Sequence, residues 1–219
     1  MSEPLEEYWR NRWEAGRIGF HLAGPNPRLV DHHERLAECQ RVLVPLCGKS
    51  ADLAWLAMQG HEVLGLELSE LAALAFFSER ELRPVRSERG AFIEYRHGAV
   101  AILVGDFFAA EPSHVGACDG AYDRAAMIAL PRELRARYVA RLRSLLEPKA
   151  KLLLVTLHFD AEGGPPFDVP PEEVNAAYAG TRITRLETRD ARSDAPGPVE
   201  RGASFVHEDV YLVELPDLS

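Results

Sequence analysis

Short apolar runs alternate with stretches of helical periodicity along most of the chain, a pattern typical of an α/β protein. Strands are predicted at 42–46, 62–67, 91–95, 99–104, 120–123, 151–158, 181–188 and 204–215. Helices are predicted at 5–15, 27–38, 51–59, 70–83 and 131–146, with a short one ending near 178. The strand at 151–158 is continuously apolar, as expected when helices cover both faces of a sheet. The pattern therefore predicts a doubly wound sheet, with the last strand antiparallel because no full helix precedes it.

Residues 41–70 have the pattern of a β-α-β unit. An apolar run ends in a turn at Gly48, a helix capped by Ser50 follows, and a second apolar run ends at Glu67. Such units bind a nucleoside-like cofactor at the carboxyl ends of their strands. Glu67 lies 19 residues after Gly48, where a carboxylate suits two ribose hydroxyls. The alternative is that Glu67 is only the polar end of a strand, and the preceding turn favours the ribose role.

The glycines of this unit argue against two phosphate-binding motifs. The GKS at 48–50 ends like a P-loop, but Leu43 occupies the position where that motif needs its first glycine. The dinucleotide pattern G-x-G-x-x-G also fails, because only Gly48 is present. One glycine permits close approach of a group smaller than a pyrophosphate.

Acidic, aromatic and basic residues also follow later strands. Asp106 and Phe107 come after the strand ending at Val104. They could bind and stack a purine, or act as a helix cap and a core aromatic. Asp123 and Arg124 close the next main strand, where the arginine could hold a carboxylate or an anionic substrate. The alternative for that pair is a local ion pair.

Several aromatic residues lie outside the predicted core pattern. Trp9, Trp13, Phe20 and Phe167 are on segments that could cover an apolar pocket. Ordinary packing would explain each of them singly. Taken together, they predict a lid formed by the N-terminal segment, about 1–26.

Composition narrows the class of protein. Net charge is −9, from 25 basic and 34 acidic residues, and Lys and Arg do not cluster, so neither nucleic acid nor an anionic membrane is expected as a partner. The cysteines, Cys39, Cys47 and Cys118, lack C-x-x-C spacing, and the histidines lack ligand spacing. We therefore expect no disulfide framework and no metal site. An acidic N-terminus without an apolar stretch predicts a cytoplasmic protein, and hydrolase motifs are absent.

Six segments, read together, are far more specific than any one motif. They are W-x-x-x-W-x-x-G-x-I-G-F-H at 9–21, VPLCGKS at 44–50, GHEVLGLELSE at 60–70, GDFF at 105–108, YDRAAMIALP at 122–131 and GPPFDVP at 164–170. In this order they resemble the bacterial type of the thiopurine S-methyltransferase family, which has the class I S-adenosylmethionine-dependent methyltransferase fold. The resemblance covers nearly the whole chain.

The resemblance implies a single Rossmann-like domain over 1–219, with a seven-stranded mixed sheet. It also implies a monomer that transfers the methyl group of S-adenosyl-L-methionine to a thiopurine or another aromatic or heterocyclic thiol. Residues implied to bind the cofactor are Trp13, Leu46, Gly48, Glu67, Asp106, Phe107 and Arg124. Within that set, Glu67 takes the ribose, Asp106 and Phe107 the adenine, and Arg124 the methionyl carboxylate and reacting end.

On the acceptor side, the resemblance implies contacts from Phe20 and Phe167. The segment around Arg192 departs from the family pattern, so no acceptor-binding arginine is assigned there. A heteroaromatic thiol is largely ionised near neutral pH, and we therefore predict no dedicated catalytic base. Asp123 and Arg124 are expected to orient the reactants and balance charge.

Other functions use the same cofactor cradle. A methyltransferase of halide, simple thiols, or selenium or tellurium oxyanions would share these residues. A non-catalytic nucleoside-binding protein would also share the fold. An NAD-dependent enzyme is disfavoured by the incomplete glycine pattern.

Overall fold

The computed structural model describes residues 3–16 and 22–217, and these ranges form one mixed sheet between two layers of helices. Its nine strands within those ranges are β1 (Arg41–Pro45), β2 (Glu62–Glu67), β3 (Val85–Arg89), β4 (Phe92–His97), β5 (Val100–Val104), β6 (Gly120–Arg124), β7 (Lys151–Phe159), β8 (Arg182–Asp190) and β9 (Val206–Glu214). Their order across the sheet is β3-β4-β5-β2-β1-β6-β7-β9-β8. Strands β5, β2, β1, β6 and β7 run parallel, and the pairs at both ends of the sheet are antiparallel.

Helices connect most of these strands. They are α1 (Glu3–Glu14), α2 (Pro27–His32), α3 (Ala51–Met58), α4 (Glu70–Ser78), α5 (Pro112–Val115), α6 (Ala126–Ala129), α7 (Arg132–Ser144), α8 (Pro171–Ala177) and α9 (Pro196–Glu200). Short 3-10 turns at His33–Arg35 and Phe107–Ala109 complete the set. Among the described residues, no helix is both long and apolar enough to cross a bilayer.

Two hydrophobic clusters cover the two faces of the sheet. On one face, α2, α3 and α4 contribute side chains such as Leu29, Leu53 and Phe76. On the other, α7 and α8 contribute Tyr138 and Val174, among others. Both clusters are fully buried, which explains the apolar character of the central strands. The predicted doubly wound arrangement is confirmed.

The expected number of seven strands is wrong. The hydrophobic pattern had predicted β4, as the strand at 91–95, and the structure adds β3 beside it as the antiparallel edge strand, which gives nine strands in the described residues. Strand β3 was missed because its sequence, VRSER, has no apolar face and its side chains are almost all exposed. Backbone hydrogen bonds to β4 define this strand, and a hydrophobic pattern cannot detect them. The antiparallel last strand is confirmed, since β9 pairs antiparallel with both β7 and β8.

The first residues of α3 and α4 were predicted more accurately than the last residues of α2 and α4. The hydroxyl groups of Ser50 and Ser69 cap α3 and α4 as predicted. Helix α2 ends at His32, before the predicted 38, and α4 ends at Ser78, before the predicted 83. The link between the last two strands contains α9, which the sequence did not predict.

Candidate active site

A cavity of about 550 Å³ lies at the carboxyl edge of the central strands. It extends from the β1 and β2 ends, across β6 and β7, to β9 and β8. Its charged lining residues are Arg12, Asp52, Glu67, Arg124, Arg189, Asp194 and Glu208. The remaining lining is mostly apolar and aromatic, as is usual for a small-molecule site.

The β1 turn and Glu67 form one end of the cavity. Leu46 and Gly48 both have left-handed backbones, with φ of 46° and 55°, so the chain turns sharply where β1 ends. The Gly48 amide donates to Glu67 Oε2 at 2.7 Å, and the Ser69 amide donates to Oε1 at 2.7 Å. Burial raises the pKa of Glu67, and the amide bonds oppose that shift. Because a carboxylate can accept about four hydrogen bonds, Glu67 retains capacity toward the cavity.

At the end of β6, Asp123 shapes the turn that presents Arg124. Asp123 is fully buried, and its Oδ1 accepts from the amides of Ala126 and Met127 at 3.1 and 3.4 Å. Its Oδ2 accepts from the Tyr138 hydroxyl at 2.6 Å. Arg124 lines the cavity, whereas Asp123 does not. Asp123 is thus placed to position Arg124 through the backbone, and the orienting role of both residues stays a prediction.

The buried carboxyl of Asp52 also lines the cavity. It is 2% exposed, and its Oδ1 accepts from the Asn26 amide at 2.6 Å. Burial raises its pKa, an effect that the Asn26 amide and then the charge of Arg124 oppose. Next to it, Tyr122 lines the cavity and is 1% exposed. The Tyr122 hydroxyl lies near enough to favour ionised Asp52, but it makes no well-aligned hydrogen bond to any described residue.

Helix α1 covers part of the cavity. Trp9, Arg12 and Trp13 line it, and the Arg12 guanidinium donates to the Tyr8 hydroxyl at 3.1 Å. Trp13 therefore reaches the cavity, and a lid formed by about 1–26 stays a prediction. Phe20, the other aromatic expected there, lies outside the described residues.

Asp106 and Phe107 do not line the cavity. The Asp106 carboxylate accepts from the Phe108 amide at 3.0 Å and caps a 3-10 turn. The Phe107 ring is 1% exposed and packs against Tyr138, with ring centroids 5.0 Å apart. These contacts correspond to the alternative of a helix cap and a core aromatic. Adenine contact by this pair stays a prediction.

The far end of the cavity is formed by prolines and by an arginine with two carboxylates. Pro165 and Pro166 line it, together with the start of α9, whereas Phe167 itself does not. Arg189 Nε donates to Glu208 Oε2 at 2.7 Å, and its Nη2 lies 2.5 Å from Asp194 Oδ2. A role for Phe167 on the acceptor side stays a prediction.

Sequence reasoning missed Asp52, Tyr122 and the Arg189–Glu208 pair. The signal for Asp52 was its position in the first turn of α3, directly after the Gly48 turn. No local signal marked Arg189 or Glu208, because β8 and β9 reach the cavity only through the order of the strands. Within the described ranges, no group of three or more His, Cys, Asp or Glu side chains is arranged to hold a metal ion.

Comparisons with known proteins agree on one family. A family model described as thiopurine S-methyltransferase matches residues 5–215. The thiopurine S-methyltransferase of Pseudomonas aeruginosa strain UCBPP-PA14 is 49% identical over 213 residues, which are 95% of this chain and 98% of that protein. The thiopurine S-methyltransferase of Vibrio atlanticus is 44% identical over 219 residues, which are 98% of this chain and 99% of that protein.

Solved structures share the fold at lower sequence identity. The 1,6-didemethyltoxoflavin-N1-methyltransferase of Burkholderia thailandensis, with its substrate and S-adenosylhomocysteine bound, has a TM-score of 0.65 at 19% identity, covering 97% of this chain and 88% of that one. An S-adenosylmethionine-dependent methyltransferase of Anabaena variabilis has a TM-score of 0.65 at 13% identity, covering 96% and 95%. At these identities the likeness concerns the fold alone.

Proposed function

The chain belongs to the thiopurine S-methyltransferase family and is an S-adenosylmethionine-dependent methyltransferase; we propose that its acceptor is an ionised aromatic or heterocyclic thiol, such as a thiopurine. The cofactor supplies an electrophilic methyl group on its sulfonium. The protein has to bind both reactants, align them and exclude water. Alignment of this kind can contribute about 7–11 kcal/mol to the lowering of a barrier.

The chain's own residues fit this cofactor. Glu67 retains acceptor capacity toward the cavity for ribose hydroxyls, and the Gly48 turn permits close approach of the ligand to the backbone. Arg124 lines the same cavity and can hold a carboxylate. Trp13 and Leu46 line it as well and would exclude water from the methionyl end.

The observation that supports this proposal is the kind of ionisable side chain that lines the cavity. Among the described residues, no histidine or lysine lines it. Its carboxylates at the far end, Glu208 and Asp194, are bound by Arg189. Asp52 and Glu67 also line it, and backbone amides bind both carboxylates. This lining suits an acceptor that arrives already ionised, and so favours acidic thiols over amines and alcohols.

The lining cysteine is held in the unreactive form. Cys47 lines the cavity, but burial, and then the charge of Glu67, raise the pKa of its thiol. Because the thiolate is the nucleophile, Cys47 would not compete with the acceptor for the methyl group.

The lining at the far end suits an aromatic ring. Apolar side chains line it, among them Ile128, Leu157, Pro165, Pro166 and the α9 prolines. An apolar lining of this kind packs against an aromatic acceptor and keeps water away from a thiolate.

A pH profile tests the proposal. We expect kcat/KM for aryl thiols to rise with the fraction of thiolate, so that the apparent pKa follows the acceptor when its ring substituents are changed. Control by one enzyme group near neutral pH, seen with an acceptor that is already ionised, would contradict it.

Turnover of other acceptors separates the alternatives. A thiopurine, a simple alkyl thiol and selenite would be compared at equal concentration. Higher kcat/KM for the simple thiol or selenite would overturn the aromatic assignment. Tight S-adenosylhomocysteine binding with no methyl transfer to any acceptor would identify a non-catalytic binding protein.

A further inference from the structure

The methionyl end of the cofactor carries two opposite charges. Arg124 can pair with the carboxylate, but the α-ammonium needs an acceptor of its own, because an unpaired charge in a closed site is costly. Four carboxylates line the cavity in the described residues: Asp52, Glu67, Asp194 and Glu208.

Three of these carboxylates are already engaged or lie elsewhere. Glu208 and Asp194 are both bound to Arg189, at the far end beneath α9. Glu67 accepts two backbone amides at the end of β2, where its remaining capacity faces a ribose. Asp52 remains, and it is close enough to Arg124 for the two charges to interact.

Asp52 has spare capacity to accept hydrogen bonds. It is 2% exposed and accepts a close bond from the backbone amide of Asn26, while the Tyr122 hydroxyl lies beside it without a well-aligned bond. Burial of this carboxylate raises its pKa above the ordinary value. A ligand cation beside it would remove that penalty.

The Tyr122 hydroxyl is a second indication of a ligand at this place. Tyr122 is 1% exposed and lines the cavity next to Asp52. Its hydroxyl lies near enough to favour ionised Asp52, but makes no well-aligned hydrogen bond to any described residue. Buried hydroxyls are rarely left unpaired in proteins. An ammonium offers three donors, enough for both Asp52 and Tyr122.

We propose that Asp52, assisted by the Tyr122 hydroxyl, is the subsite for the α-ammonium of the cofactor's methionyl end. Arg124 would then bind the carboxylate of the methionyl end, and Asp52 its ammonium group. The inference rests on the cofactor of the proposed function and not on its acceptor.

The Asp52 carboxylate also makes a structural contact at the N-terminus of α2. Asp52 Oδ1 binds the Asn26 amide, and the Asn26 side chain accepts from the Arg28 amide at 2.8 Å to cap α2. The Asp52 carboxylate would therefore serve both the N-terminus of α2 and the proposed subsite.

Calorimetry without any acceptor tests the subsite. Two ligands would be compared, S-adenosylhomocysteine and its analogue with hydrogen in place of the α-amino group. We expect the wild type to bind the amino form about 10- to 100-fold more tightly. Asp52→Asn should lose most of that preference through weaker binding of the amino form only, and Tyr122→Phe should lose a smaller part.

Asp119→Asn is the matched control. Asp119 also accepts two backbone amides, from Gln40 and Arg41, but it lies outside the cavity. This variant should keep the full preference for the amino form. Equal binding of the two ligands by the wild type would overturn the proposal, and so would equal weakening of both ligands by Asp52→Asn.

If Asp52→Asn does not fold, the proposal is still tested by the preference of the wild type and of Tyr122→Phe for the amino form over the analogue that lacks the amino group. Because no acceptor is present, failure of thiol methylation would leave this test unaffected.

Discussion

At the scale of single residues, the cavity depends on carboxylates that burial makes costly to ionise. Glu67, Asp52 and Asp123 are all buried, and burial raises the pKa of each. Backbone amides donate hydrogen bonds to all three carboxylates and offset part of that cost. Because these amides belong to nearby turns, each carboxylate also stabilises local backbone structure. At Glu67 and Asp52, which line the cavity, one group would serve both the fold and the proposed ligand, so variants there need controls that separate the two effects.

Glu67→Ala should weaken S-adenosylhomocysteine binding by about 1–3 kcal/mol, because ribose hydroxyls would lose their acceptor. Calorimetry measures the change. Glu67→Gln keeps one oxygen for the Gly48 or Ser69 amide and serves as the comparison. Unchanged affinity in a folded Glu67→Ala protein would contradict the ribose assignment.

Asp123 should make stability depend on pH in the acid range. Burial raises its pKa from 3.8 to about 6, against the opposing bonds from Tyr138 and two amides. The folded protein binds this proton more tightly than the unfolded chain does, so the protonated carboxyl of Asp123 adds to the free energy of unfolding. This stabilisation is fully present below about pH 4 and is lost as pH rises through 6. The loss is about 3 kcal/mol for a shift of about two units.

Urea unfolding of the wild type and Asp123→Asn between pH 4 and 7 measures this effect. The wild type should lose stability relative to the variant as pH rises, and the difference should level off above pH 6. Parallel curves for the two proteins across this range would contradict it.

At the scale of elements, the turns after the strands carry the site. The β1 turn presents Leu46 and Gly48, β2 ends in Glu67, and β6 ends in Arg124. In a parallel sheet these ends meet at one edge, which is why local patterns in the sequence located them. Neighbouring side chains pack closely against these turns, so a larger residue in place of a small one nearby should displace them.

Gly65→Ala should disturb the β1 turn. A Cβ at Gly65 would lie 2.6 Å from Cys47 Sγ, so the cysteine and the adjoining Gly48 must move. We expect a loss of about 1–3 kcal/mol of stability and weaker S-adenosylhomocysteine binding.

The double variant Gly65→Ala, Cys47→Ala is the control for that change. It removes the clashing sulfur and should recover most of both losses, measured by urea unfolding and calorimetry. A double variant no better than Gly65→Ala alone would show that the contact with Cys47 is not the cause.

At the scale of the whole molecule, one sheet carries both ends of the cavity. The end proposed for the cofactor lies over β1, β2 and β6, and the far end over β7, β9 and β8. Loss of any of these six strands would therefore open the cavity. A single domain over 1–219 stays a prediction, and this shared sheet supports it.

Unfolding in urea, followed by circular dichroism, should therefore show a single cooperative transition. Saturation with S-adenosylhomocysteine at a hundred times its Kd should raise the free energy of unfolding by about 2.7 kcal/mol, with the same slope against urea. Two separate transitions would contradict a single domain. Light scattering on the same samples tests the expected monomer.

The sequence by itself determined what depends on neighbouring residues. The turn at Gly48, the caps Ser50 and Ser69, and Glu67 at the end of β2 were located by local pattern, because backbone preference and the period of apolar positions are local properties. The family was identifiable from six ordered segments for the same reason.

Only the tertiary structure decided which distant residues share the cavity. Insertion of β9 between β7 and β8 brings Glu208 beside Arg189, and contact between Asn26 and Asp52 joins segments 26 residues apart. Packing also placed Phe107 in the core, against Tyr138. Strand order and the face on which a side chain packs are set by contacts between distant segments, and a single sequence does not contain those contacts as a local pattern.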